Sequence, residues 1–200
     1  TNNYPATPKE VIRYYNDLIK CFYNEDCTTE ELQELGRKSL QLFDEELRAN
    51  NEEDTYLTRL QGEVKNYKDN KRKITSVSLA SSTNVDYYTA DGYSFARIAC
   101  GYGMTENGKK SSTMLVYLLR RDENRKWRIY GWETADQLND SLEQGNKEEA
   151  LKIAETELAL SSSALELLKE QVEQNLNLVL AKGTSKMADI VMGTNGVKDV

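Results

Sequence analysis

The stretch that decides the fold covers residues 93–121 and reads YSFARIACGYGMTE-NG-KKSSTMLVYLLRR. Two alternating runs flank Asn107-Gly108. An Asn-Gly pair is the preferred two-residue hairpin turn, because both residues tolerate a positive φ. The turn fixes the register and places Glu106 opposite Lys109. The stretch therefore predicts a long antiparallel hairpin.

This register sorts the side chains of the hairpin onto two faces. One face holds Ala96, Ile98, Cys100, Tyr102, Leu115, Tyr117 and Leu119. The other face holds Phe95, Arg97, Ala99, Met114, Val116 and Leu118. A sheet with one solvated face would alternate more cleanly, so we expect both faces to be covered. A last strand at 126–133 alternates Trp127/Ile129 against Tyr130/Trp132, and the loop before it leaves open which pair joins which face.

The first 70 residues predict three helices, because apolar residues recur at i, i+3 and i+4. Thr7 caps the first helix, with Pro8 at its first position, and Thr28 or Thr29 caps the second. The third follows Asn50-Asn51. The inner face of the second helix is predicted to contain Leu32, Leu35, Leu40, Phe43 and Leu47. From residue 71 the apolar period changes to two, which predicts a strand at 74–79 and a looser strand and turn at 84–92.

Beyond the sheet the composition changes. Residues 146–182 contain neither Gly nor Pro, and apolar residues repeat every seventh position at Leu151, Leu158, Leu165, Val172 and Val179. This pattern favours helices that pack on the outer face of the sheet as a hairpin, or one long helix that pairs with a second copy in a homodimer. We therefore expect a linker at 1–7, an α+β domain at 8–136, a helical extension at 137–182 and a loosely ordered tail at 183–200.

Composition excludes several classes of chemistry. The chain has 200 residues, 26 basic and 33 acidic side chains, a net charge of −7 and no His. An acidic chain is a poor partner for nucleic acid, and without His there is no Ser-His-Asp system and no His-ligated metal. We therefore predict no cofactor and no metal. Residues 71–136 carry a local charge of +4, which indicates protection of strand edges or, alternatively, a rim that binds anions.

The cysteines and the hydropathy bear on the compartment. No run reaches the ~18 apolar residues that a transmembrane span needs. The chain has three cysteines, Cys21, Cys27 and Cys100, so at most one disulfide forms within it. Cys21 and Cys27 flank the end of the first helix, where either a bridge or two buried thiols fit the pattern.

The chain resembles the nuclear transport factor two-like superfamily, the cystatin-like cone-shaped α+β fold that also includes ketosteroid isomerases and polyketide cyclases. The resemblance covers residues 8–136 and rests on the helix–sheet order and on the final strand Lys126-Trp127-Arg128-Ile129. That strand is similar to those of secreted and lipoprotein members from Gram-positive bacteria. The resemblance implies a curved sheet under three helices and an extracellular or surface-anchored protein, with a cytoplasmic one as the alternative. Catalytic members place Asp with His or Tyr in the cone, and here His is absent.

The expected function is a non-catalytic module that binds a small apolar ligand or a protein. Aromatic residues are the predicted lining of its pocket: Tyr14, Tyr15, Phe22, Tyr56, Tyr102, Tyr117, Tyr130 and Trp132. The first alternative is a cone-fold isomerase or cyclase that uses a carboxylate with a Tyr, with Asp17, Asp86, Glu133 and Asp136 as candidate carboxylates. The second alternative is a dimerising structural scaffold.

Overall fold

The computed structural model describes residues 3–134, together with four isolated positions further along the chain. The fold is α+β, with the helices first. The helices are α1 (Pro8–Asn24), α2 (Thr29–Leu40), α3 (Glu45–Ala49) and α4 (Glu53–Asp69). The strands are β1 (Lys73–Leu79), β2 (Asp86–Ala90), β3 (Tyr93–Glu106), β4 (Lys109–Arg121) and β5 (Trp127–Thr134).

Two helices begin with a complete capping box. The Thr7 hydroxyl accepts from the backbone N–H of Glu10, and the Glu10 carboxylate accepts from the backbone N–H of Thr7. Thr28 and Glu31 repeat the arrangement at the start of α2. Each box satisfies two N–H groups that a helix start would otherwise leave unpaired. The predicted cap at Thr7 is confirmed, and the second helix is capped by Thr28.

The prediction of three N-terminal helices is wrong, because the structure has four. Helix α2 ends at Leu40, and the backbone of residues 42–44 then lies along β5. The N–H of Ile129 donates to Leu42 O, and the N–H of Asp44 donates to Ile129 O, each at 2.8 Å. The Asp44 side chain then caps the short helix α3. Hydrogen bonds to a distant strand therefore interrupt an apolar pattern that locally favours one continuous helix.

The sheet is antiparallel, with the order β1-β3-β4-β5, and β2 also pairs with β3. The turn at Asn107-Gly108 has φ values of 48° and 81°, the left-handed conformation that the Asn-Gly pair predicts. The predicted register between β3 and β4 is confirmed from Glu106↔Lys109 onward. The looser strand and its turn are β2 and Asp91-Gly92, where both residues also have positive φ.

A bulge settles the faces of β5. The β4–β5 register shifts between Leu118 and Leu119, which pair with Gly131 and Ile129, so that Tyr130 is the extra residue of β5. The extra residue lets Trp127, Ile129 and Trp132 all join the core that the helices share with the sheet. We call this side of the sheet the first face. Tyr130 lies with Phe95 on the opposite side, the second face, with the two ring centroids 5.7 Å apart.

The second face is also buried over its central part. Ala99, Met114, Val116 and Leu118 are all buried, although none of them belongs to the core that the helices share with the first face. The expectation that both faces are covered therefore agrees with their burial. The predicted extension at 137–182 and tail at 183–200 lie outside the described residues, except for Glu148, Leu151, Lys152 and Lys169, which are helical.

Candidate functional site

The space between the helices and the first face is filled by tyrosines. Six of them have fully buried side chains: Tyr15, Tyr23, Tyr56, Tyr67, Tyr102 and Tyr117. Two come from α1, which directs its apolar stripe onto the sheet, two come from α4, and β3 and β4 contribute one each. A Tyr ring is apolar but its hydroxyl needs a partner when buried. The hydroxyls therefore decide what this interior can do.

One pair of hydroxyls is connected to a polar side chain of α1. Tyr102 OH donates to Asn16 Oδ1 at 2.5 Å and lies 2.5 Å from Tyr117 OH. Because Tyr102 gives its only proton to Asn16, Tyr117 is the donor in the second bond. Asn16 Nδ2 in turn lies 3.4 Å from Cys100 Sγ. Burial raises the pKa of both phenols well above the ordinary value, so both are neutral donors at physiological pH.

Ring contacts fill the neighbouring space. The Tyr15 ring meets Phe43 and Tyr117 edge to face at 6.2 and 6.1 Å, and Phe43 meets Tyr56 at 6.0 Å. Edge-to-face pairs at such distances are the favoured aromatic geometry. The Tyr15 and Tyr23 hydroxyls have no hydrogen-bond partner among the described residues. This interior is therefore tightly packed and still offers polar groups to a small guest such as water.

A buried carboxylate lies at the α4 end of the interior. Glu63 is almost fully buried and interacts electrostatically with Tyr23 and Tyr67, whose rings stack with centroids 3.9 Å apart. The guanidinium of Arg72 lies 4.8 Å from the centroid of the Tyr67 ring. Sequence reasoning missed Glu63. The available signal was its spacing, because it lies on the same helical stripe as Leu60 and Tyr67.

The predicted pocket residues divide into three groups. The structure brings six of them together in the core: Tyr15, Phe22, Tyr56, Tyr102, Tyr117 and Trp132. Tyr14 is 39% exposed and lies on the outer side of α1, away from this interior. Tyr130 lies on the second face. Asn16 and Tyr23 belong to the interior but were not predicted.

On the second face, four aromatic side chains form a group that we call the aromatic cluster: Tyr88, Tyr93, Phe95 and Tyr130. Tyr88 stacks on Phe95 at 5.4 Å, and Tyr93 and Tyr130 meet Phe95 edge to face. Arg120 lies between two rings of this cluster, 4.6 Å from the centroid of Tyr93 and 4.8 Å from that of Tyr130. Tyr93 is 48% exposed. The cluster thus presents a partly exposed aromatic surface around a fixed cation.

Arg120 is held by α3 as well as by the rings. Its Nε and one terminal nitrogen bind the two carboxylate oxygens of Asp44 at 2.9 and 2.5 Å, and the other terminal nitrogen binds Glu46 at 2.9 Å. The Arg120 and Asp44 side chains are both buried. The two-pronged geometry fixes the plane of the guanidinium. The aromatic cluster is therefore anchored through Arg120 to the segment that interrupts the helices.

The other charged candidates lie on the surface or in ion pairs. Asp17 and Asp86 are exposed, and Glu133 pairs with Arg97 at 2.5 Å. Asp136 lies outside the described residues. Arg72 pairs with Glu106 at 2.7 Å, so part of the predicted basic rim is neutralised by carboxylates. Among residues 3–134 and the four isolated positions, no group of three metal-ligating side chains comes together.

No helix in the described part of the chain is long and apolar enough to cross a bilayer.

Comparison with known proteins places the first two thirds of the chain in one family. Curated proteins show no match to this sequence. One family profile matches residues 1–132, which covers α1–α4 and nearly the whole sheet. The chain belongs to the family described as Domain of unknown function (DUF6715).

Proposed function

We propose that this protein is a non-catalytic binding module that engages a protein partner through the aromatic cluster on its second face. The observation that carries the proposal is the pair of rings, Tyr93 and Tyr130, held around Arg120 with Tyr93 half exposed. Aromatic residues and Arg are the types that dominate the energetics of protein interfaces. An anchored ring also loses little conformational entropy when a partner binds.

Electrostatics support a partner rather than a free anion at this site. The guanidinium of Arg120 is already neutralised by Asp44 and Glu46. An incoming anion would have to displace a buried bidentate carboxylate, which is costly. The exposed groups that remain are the ring of Tyr93 and the half-buried ring of Tyr88. A partner with apolar or proline-rich surface meets such rings without breaking an ion pair.

A quantitative capture experiment tests this proposal. The full chain is immobilised as wild type, as Tyr93→Ala and as Tyr14→Ala, and each is exposed to cell-surface extracts of the organism from which the sequence comes. Tyr14 is the matched control, because it is an exposed tyrosine on the helical side of the molecule. We expect a partner that wild type and Tyr14→Ala recover equally and that Tyr93→Ala loses at least tenfold. Equal recovery by all three proteins would contradict the proposal.

The tyrosine interior favours a second binding candidate, a small ligand between the helices and the first face. Tyr15 and Tyr23 have hydroxyls without a partner among the described residues, and burial disfavours unpaired polar groups. Native mass spectrometry of the purified full chain tests this candidate. A bound species that is lost on unfolding supports it, and a bare polypeptide mass from freshly prepared protein counts against it.

The enzymatic alternative has one observation in its favour, the buried Glu63 beside two tyrosines. A carboxylate base facing a phenol is the arrangement that isomerase chemistry requires. The test is turnover of a panel of cyclic ketones and esters by wild type, Glu63→Gln and the exposed control Glu123→Gln. Turnover that only Glu63→Gln abolishes would establish the alternative. Equal rates in all three proteins would exclude Glu63 as the base.

The remaining proposals concern architecture and location. The similarity to the nuclear transport factor two-like cone is supported by the helix-first order and by the antiparallel sheet. We also propose that the predicted extension at 137–182 packs on the second face, which the burial of Met114, Val116 and Leu118 supports. A Leu158→Asp variant of the full chain should then bind an apolar dye more strongly at unchanged mass. If the extension instead forms a dimer, sedimentation will show the variant at half the mass of wild type.

We propose an extracellular or surface-anchored location, because the final strand resembles those of secreted and lipoprotein members of the nuclear transport factor two-like superfamily. Protease treatment of intact cells tests it. Degradation of the protein while a cytoplasmic marker survives is the expected result. Protection equal to that of the marker would place the protein inside the cell.

A further inference from the structure

The turn after α1 brings Cys27 back to the last turn of the helix, where Cys21 lies. Helix α1 ends at Asn24 and the chain reverses, so that Cys27 Sγ lies 3.7 Å from the carbonyl oxygen of Cys21. Both cysteines are half-buried, and both are free thiols. The third cysteine, Cys100, is fully buried beneath Asn16 on the first face. Only the first two can therefore react with each other without unfolding.

Contacts on both sides hold this turn in place. The Asn24 side chain bonds both the N–H and the carbonyl of Ile74 on β1, at 3.0 and 2.8 Å. Lys68 of α4 donates to the carbonyl of Glu25 at 3.0 Å and to the carboxylate of Asp26 at 2.5 Å. A disulfide needs the two Cα atoms within about 7 Å of each other, with converging side chains. Because the turn is fixed to two neighbouring elements, the chain would lose little further entropy when the two thiols join.

We propose that Cys21 and Cys27 form an intramolecular disulfide by thiol–disulfide exchange with a disulfide donor such as oxidised glutathione. The thiolate of one cysteine attacks the donor, forms a mixed disulfide and releases one glutathione as its thiol. The second cysteine then attacks the mixed disulfide and releases the other glutathione. The two cysteines lose two electrons and two protons in total, and the donor takes up both.

The surroundings suit a structural bridge rather than a reactive catalytic thiol. Burial and the carboxylates of Glu25 and Asp17 raise the pKa of Cys21. Burial, followed by Glu31, raises the pKa of Cys27. A thiol with a raised pKa forms little thiolate at neutral pH and attacks slowly. The bridge is therefore expected to form over hours with a small donor and to persist once formed.

Trypsin separates Cys100 from the other two cysteines, which makes the test direct. Cleavage after Lys20 and Arg37 releases one peptide, 21–37, that contains both Cys21 and Cys27. Peptide 98–109 contains Cys100 alone. The reduced full chain is incubated with oxidised glutathione, alkylated with N-ethylmaleimide, digested and analysed by mass spectrometry. We expect peptide 21–37 without label and two hydrogens lighter than its reduced form.

Variants make the assignment specific. Cys100→Ser should form the same bridge, whereas Cys21→Ser and Cys27→Ser should each leave one thiol that takes up label or glutathione. Closing this seven-residue loop should lower the unfolding equilibrium constant of wild type by up to about 50-fold, and dithiothreitol should reverse the effect. Two labels on peptide 21–37 of the oxidised wild type, two attached glutathiones, or a covalent dimer on a non-reducing gel would each overturn the proposal.

Discussion

The hydroxyl of Tyr102 should contribute far more to the free energy of unfolding than the hydroxyl of Tyr15, although both rings are fully buried. Tyr102→Phe removes the donor to Asn16 Oδ1 and the acceptor for Tyr117, two bonds of 2.5 Å. Each net hydrogen bond contributes about 1 kcal/mol, and an orphaned buried polar group costs about 1–3 kcal/mol. Because two bonds are lost, we expect the free energy of unfolding to fall by about 2 kcal/mol.

Tyr15→Phe is the matched control. Its ring keeps its edge-to-face contacts with Phe43 and Tyr117, and the hydroxyl that is removed has no partner among the described residues. Burying that hydroxyl costs desolvation energy that no hydrogen bond offsets, so its removal should leave the free energy of unfolding unchanged or raise it slightly. Tyr117→Phe, which leaves the bond from Tyr102 to Asn16 intact, should fall between the two.

Urea unfolding of the full chains, followed by tryptophan fluorescence, measures the difference. With a urea dependence of about 2 kcal/mol per molar, Tyr102→Phe should move the midpoint down by about 1 M. The two tryptophans, Trp127 and Trp132, lie in the core and report its exposure. A Tyr15→Phe variant that loses as much stability as Tyr102→Phe would refute the assignment of the hydrogen bonds.

Three further predictions concern packing, charge and pH. In Gly36→Ala the new Cβ would lie 2.5 Å from Leu57 Cδ2, whereas in Gly62→Ala it meets nothing within 4 Å. Gly62→Ala should raise the free energy of unfolding by about 1 kcal/mol, and Gly36→Ala should be at least 1 kcal/mol less stable than Gly62→Ala in urea. Arg120→Met should cost about 3–5 kcal/mol by the same measurement, because Asp44 is then left buried without its cation. Burial raises the pKa of the core tyrosines in the folded state, so the unfolded chain loses its phenolic protons first. The urea midpoint should therefore fall as the pH rises above ~10, and a profile that stays flat between about pH 9 and 11 would contradict this.

Local chemistry predicted the hairpin and the starts of α1 and α2 correctly. The two-residue turn requires positive φ at both positions, which Asn107-Gly108 tolerates. A turn at this place leaves one register for the pairing of β3 with β4. Thr7 and Thr28 carry their own hydrogen-bonding partners three residues ahead. Each of these features is decided by residues close together in the chain. Such features can be derived from sequence because no distant contact competes with them.

Features that depend on distant contacts could not be derived in this way. Phe43 and Leu47 continue the apolar period of α2, and only the pairing with Ile129 shows that the helix ends before them. The face of Tyr130 depends on a bulge that one residue in β5 decides. Glu63 is a charged residue on the apolar stripe of α4. One of its tyrosine neighbours, Tyr67, is on the same helix, but the other, Tyr23, is on α1. Six of the eight predicted pocket residues lie together in the core, whereas Glu63 was missed, and of the aromatic cluster only Tyr130 was among the predicted pocket residues.

The pairing of residues 42–44 with β5 also has a kinetic consequence. The amides of Asp44 and Ile129 are held by a single reciprocal pair of hydrogen bonds between segments far apart in the chain. Closing so long a loop is entropically slow, so this pairing and helix α3 should form after the β3–β4 hairpin. In native-state hydrogen exchange, the two amides should open together as one cooperative unit. This short backbone contact at the edge of β5 therefore predicts that α3 forms late, after the β3–β4 hairpin.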